Sequence, residues 1–139
     1  MKKLLSIFIM LSTFIFSSWA SAETAVIVNA ANTNEVNQSM VKRMFLGKMK
    51  KYPSGSSVIP INLPAGDVQR DGFDDAVLGK SPKQMKSYWS KLVFTGKGNP
   101  PQEVASIADM LQLISTNPDA IGYLPADQVA DGMTVLFTF

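Results

Sequence analysis

"SVIPINLPAGDVQRDGF", residues 57 to 73, contains the signs of three elements in succession. The apolar, β-branched run over 57–63 reads as a strand, Pro64 to Gly66 as a turn, and Asp67 onward as the start of a helix. A strand passing through a glycine turn into a helix is a geometry that suits an anion. The free N–H groups and positive dipole end of the helix attract negative charge, and Arg70 lies in the first turn. Asp67 stands where a capping carboxylate would take those same donors. Gly66, Asp67, Gln69 and Arg70 are therefore the candidate ligand-binding residues, with anion binding and self-capping both open.

Working outward, "TAVIVNA" predicts a strand over 24–30. Between the two strands Ser39 is placed to cap a short helix that turns Val41, Met44 and Phe45 inward and ends at Gly47. Ser81 as N-cap, Pro82 at the first helical position and Gln84 as the return arm of a capping box predict another helix. Met85, Tyr88, Trp89, Leu92 and Val93 then form an apolar stripe expected to be core. "FTGKGNPPQEV" reads as a turn-rich loop. Ser106 caps a further helix through Ile107, Met110, Leu111 and Ile114, stopped by Asn117 and Pro118. "AIGYLP" and "GMTVLFTF" read as closing strands, and the second of them is expected to be paired, because an exposed apolar edge invites aggregation. The fold class is α/β, with a mixed sheet flanked by helices in one domain.

Residues 1–22 read as a secretory signal peptide: Lys2 and Lys3 precede an apolar run from Leu4 to Phe16 and a small-residue site, "ASA", with cleavage after Ala22. The run is too short to span a bilayer comfortably, and no second one follows. Export to the periplasm is the expected localisation. Removing these 22 of 139 residues leaves 117, enough chain for a core stabilised by packing alone. Lys2 and Lys3 leave with the leader, so 11 basic residues of the 13 face 11 acidic ones. That balance argues against nucleic acid as a partner.

The sequence contains no histidine and no cysteine, which removes the commonest general base, the commonest nucleophile and the soft metal ligands together. "TGKG" and "LGKM" fail as phosphate-cradling P-loops, since Lys91 and Lys42 stand where the leading glycine is required. Asp71, Asp74 and Asp75 read as a solvated, dipole-favoured face at a helix start rather than a metal site. Lys42, Arg43, Lys48, Lys50 and Lys51 form a basic cluster, a hydrated surface or a contact for an acidic partner or a membrane surface. No enzyme activity, cofactor or metal is expected.

Three stretches, "MFLGKMKKYPSGSSVIPINLPAGDVQRDGF", "SYWSKLVFTGKGNPPQEVAS" and "NPDAIGYLP", together resemble the phosphate-binding proteins of ABC importers, in the PBP-like superfamily of periplasmic substrate-binding proteins. The resemblance runs from about residue 25 to 125. It implies a PBP-like domain over 23–139, built as a short single-lobe sandwich where the family has two lobes closing over the anion. Gly66 and Arg70 match the family's Ser-Gly-Thr-Arg-type anion loop, whereas its hydroxyl residues are missing. Asp67 is either an imitation of the family's acidic phosphate acceptor or a source of repulsion.

Two functions follow. In the first, the protein is a solute-binding component that captures inorganic phosphate or a similar oxyanion at the 65–70 loop, with a homodimer or partner subunit supplying the missing wall. In the second, it is a non-catalytic envelope interaction module that kept the fold and lost the ligand.

Overall fold

The computed structural model describes residues 23–139. The leader expected over 1–22 lies outside the described residues. Five strands form one mixed sheet: β1 (Thr24–Asn29), β2 (Ile59–Asn62), β3 (Gln102–Glu103), β4 (Ala120–Pro125) and β5 (Met133–Thr138), in spatial order β3-β2-β4-β1-β5. β2 runs parallel to both β3 and β4, while β1 is antiparallel to β4 and β5. Four α-helices connect them: α1 (Gln38–Phe45), α2 (Val68–Phe73), α3 (Pro82–Phe94) and α4 (Ile107–Thr116). A π-helical turn, Asp74–Leu78, follows α2 directly.

Alternation along β4 shows how the layers stack. A side chain at Gly122 would collide with Met110 and Ile114 of α4, so α4 lies directly on the backbone there. The next residue, Tyr123, points to the opposite face. It stacks on Phe73 of α2, with ring centroids 4.1 Å apart, and meets Phe45 of α1 at 6.1 Å. Both faces of the sheet are therefore covered, and all six residues of β4 are buried. That is why "AIGYLP" reads as continuously apolar rather than alternating.

Most expected elements form, with three corrections. Asn37, not Ser39, caps α1 by accepting a hydrogen bond from the Met40 N–H, because the helix starts one residue before Ser39. The α3 capping box between Ser81 and Gln84 is present as expected, but only Met85 and Trp89 of its stripe are fully buried. Val93 is 50 % exposed. Eight residues past Met85 a helix has rotated about 80° beyond a whole turn, which carries Val93 off the core face. The third correction is β3, two residues inside the segment read as a loop. The closing strand is paired on one side, with β1, and a bulge at Leu136 breaks its register between Val26 and Ile27.

Candidate functional site

β2 brings the chain to the 63–70 loop, and its end is fixed from beneath. The Tyr123 hydroxyl donates to Asn62 Oδ1 at 2.9 Å and accepts from the Leu63 N–H at 3.3 Å. Burial pushes this phenol well above its ordinary pKa, so it serves as a neutral strut. The chain then reverses in a turn closed by the Asp67 N–H on the Pro64 carbonyl at 3.1 Å. Gly66 occupies its third position at φ +86°, the left-handed conformation that a type II turn demands there.

Asp67 caps α2: its carboxylate accepts from the Gln69 N–H at 2.8 Å. Gln69 in turn accepts from the Thr24 hydroxyl at 2.7 Å, which ties the helix start to β1. Both side chains thus hold the loop in place, and the self-capping geometry foreseen for Asp67 is the one present.

Arg70 points back under the turn. Its Nη1 donates to the Leu63 carbonyl at 2.9 Å and to Glu103 Oε2 at 2.8 Å. Its Nε lies 4.0 Å from Asp74 Oδ2. Among the described residues nothing accepts a hydrogen bond from Nε or Nη2, so most of the guanidinium's donor set is unused. The Glu103 side chain keeps 51 % of its exposure, against 18 % for Arg70, so the carboxylate is the loose partner of the pair. Glu103 comes from β3, whose parallel pairing beside β2 delivers it to the loop.

Of the three aspartates read as a solvated face, Asp75 is exposed and Asp71 half-buried. Asp74 is a correction: it is 2 % exposed. It continues α2 with helical backbone angles, one turn past Arg70 and next to the buried Phe73, so it faces inward instead of to water. Burial pushes its carboxyl up to about 6, with Arg70 opposing the shift and Asp71 adding to it. Among the described residues no three acidic side chains gather as a metal would require.

Beside the loop a groove of about 1040 Å³ runs from Gly66, Arg70, Asp74 and Glu103 to Trp89, Phe94, Pro100 and Pro101. The arrangement supplies a fixed guanidinium, a tight glycine turn and an adjoining concave surface. The structure keeps Gly66, Asp67, Gln69 and Arg70 on one loop, with Gly66 in the turn and Asp67 and Gln69 engaged in holding it. Glu103, 33 residues from Arg70, joins them without any local sequence signal.

No protein-family model matches the chain, and no curated protein matches it in sequence. Solved structures do match in fold. One is a phosphate ABC transporter substrate-binding protein with bound phosphate from Clostridium perfringens, with a TM-score of 0.65, 18 % identity, and coverage of 83 % of this chain and 45 % of that one. An ABC-type phosphate transport receptor from Vibrio cholerae gives 0.62 at 15 % identity, over 83 % and 46 % of the two chains. PstS from Borrelia burgdorferi gives 0.59 at 14 %, over 83 % and 47 %. The chain thus has the fold of phosphate-binding substrate-binding proteins and spans less than half the length of each.

Proposed function

We propose that this chain is an exported, non-catalytic solute-binding protein of the phosphate-binding type, taking inorganic phosphate or a similar oxyanion at the 65–70 loop. The observation that carries the reading is Arg70. Its guanidinium is anchored by the Leu63 carbonyl, leaves Nε and Nη2 without acceptors, and is neutralised by a half-exposed carboxylate that can swing away. An oxyanion replacing Glu103 would gain a fork of charge-assisted bonds, where the exposed ion pair it displaces is worth only about 0–1 kcal/mol. Gly66 would let the anion approach the backbone. Asp67 and Gln69 would position the loop rather than touch the ligand. The fold shared with phosphate-binding proteins supports the same ligand class, and the leader-like sequence of 1–22 supports a periplasmic location.

The test is thermal unfolding of residues 23–139 in rising phosphate, with chloride at matched ionic strength and Arg70→Ala as controls. At a hundredfold the dissociation constant the ligand adds about 2.7 kcal/mol, a rise in Tm on the order of 10 °C for a domain of this size. The rise should vanish in Arg70→Ala. No rise at millimolar phosphate would overturn the reading and favour a second one, an envelope interaction module. That alternative is supported by the Asp67 cap, which already occupies a helix N-terminal donor.

A further inference from the structure

Positive charge is segregated along this chain. Of the 11 basic residues in 23–139, ten lie in the segments 42–51 and 80–97, and neither segment contains an acidic residue. The two segments are packed together. The Tyr88 hydroxyl donates to the Leu46 carbonyl at 2.6 Å, the Trp89 ring lies against Gly47, and Lys80 Nζ sits 5.7 Å from the centre of the Tyr88 ring. Both ion pairs among the described residues belong to Arg70, so none of these ten cations is neutralised by a neighbour.

The same region carries the most exposed large apolar side chain of the described residues, Phe94, at 92 %. Val93 beside it is 50 % exposed. On α3, Lys83, Lys86, Ser90 and Phe94 follow one another at three- and four-residue steps, so they share one helix face, turned away from Met85 and Trp89. Lys91 and Lys97 flank the aromatic in sequence.

We propose that the exposed face of α3 carrying Lys83, Lys86 and Phe94 docks this protein on a bilayer surface bearing anionic phospholipid, with Phe94 and Val93 entering the boundary between headgroups and acyl chains. Charge complementarity names the partner, and Phe94 selects the bilayer among anionic partners. A soluble anion or an acidic peptide would engage the lysines and leave the phenyl ring in water, whereas a bilayer interface takes both the cations and the ring. The lysine stems lie along apolar surface while their ammonium groups reach the phosphates. Among the described residues no helix is long and apolar enough to cross a membrane, so this contact is peripheral. Lys83, Lys86, Val93 and Phe94 also line the groove beside the anion loop, across from Arg70, Asp71 and Glu103, and the Arg70→Ala variant is expected to leave vesicle binding unchanged.

Residues 23–139 contain the whole sheet and core described above and exclude the apolar leader, so they are the protein to test. Cosedimentation is measured with vesicles of phosphatidylcholine alone and of phosphatidylcholine with 30 % phosphatidylglycerol. Binding is expected to the anionic vesicles only, to weaken roughly tenfold or more between 0.1 and 0.5 M NaCl as screening shortens, and to fall about fivefold or more in Phe94→Ser. The Lys83→Gln/Lys86→Gln variant, which leaves the aromatic in place, should lose roughly tenfold or more. Phe94 and both lysines are exposed, and an unchanged Tm confirms that each variant is folded. No binding to anionic vesicles at 0.1 M NaCl would overturn the proposal. So would binding that Phe94→Ser leaves unchanged, which would mark a face that takes any polyanion.

Discussion

Asp74→Asn gives the sharpest test of the electrostatics beneath the loop. The native carboxyl sits near pKa 6 against an ordinary 3.8. Between those values the folded protein holds a proton that the unfolded chain releases, so Asp74 makes stability fall as pH rises from about 4 through 6. At about 1.4 kcal/mol per unit, the full shift is worth about 3 kcal/mol lost by pH 7. Asparagine keeps the shape and cannot ionise. The stability of Asp74→Asn minus that of the wild type, from urea unfolding at each pH, should therefore grow by up to about 3 kcal/mol between pH 4 and 7.5. Contributions of the other carboxylates cancel in that difference. Arg70 opposes the shift, so against an Arg70→Ala background the same difference should be larger and extend to higher pH. A difference that stays flat with pH, or shrinks as pH rises, would refute the assignment of Asp74 as a carboxylate raised by burial.

Two further substitutions probe the frame around it. Asp67→Ala removes the α2 cap and should cost about 0.5–2 kcal/mol of stability. If the 65–70 loop takes an oxyanion, the same variant should gain more Tm from phosphate than the wild type does, because it frees a donor and removes a negative charge. Gly122→Ala would place a methyl carbon against the Met110 sulfur and the end of Ile114. It should cost up to about 1–3 kcal/mol in chemical denaturation, and a neutral result would mean that the Met110 and Ile114 side-chain ends give way to the methyl group.

Local chemistry made much of this fold legible. The Ser81–Gln84 capping box, the Ser106 cap and the apolar runs of β1 and β4 each act within a few residues, and each produced the expected element. Failures came where a distant partner decides the outcome. β3 exists only because Gln102 and Glu103 find β2 some forty residues back, and nothing in "NPPQEV" announces a strand. Val93 fits a stripe on paper, yet the neighbours of α3 cover only the turns around Met85 and Trp89. Asp74 has the composition of a surface residue, and nothing in "DGFDDAV" distinguishes it from its exposed neighbour Asp75. The candidate site divides along the same line. Asp67, Gly66 and Arg70 announce themselves through turn and cap chemistry, whereas Glu103, which sets the charge state around Arg70, comes from the unforeseen strand.

The position of β1 has a consequence for the order of events in folding. Its two neighbours in the sheet, β4 and β5, are drawn from residues 120–138, and the Thr24 and Phe139 backbones exchange a pair of hydrogen bonds at 3.0 Å. A chain made from its N-terminal side therefore presents a first strand, apolar from Ala25 to Val28, with nothing to pair against until residues 120–138 have followed it. Contacts that close so long a loop are slow to form, since its closure entropy must be overcome before any pairing is gained. β1 thus takes its place in the sheet only once residues 120–138 are available, and those residues act as the trigger that lets this part of the sheet assemble.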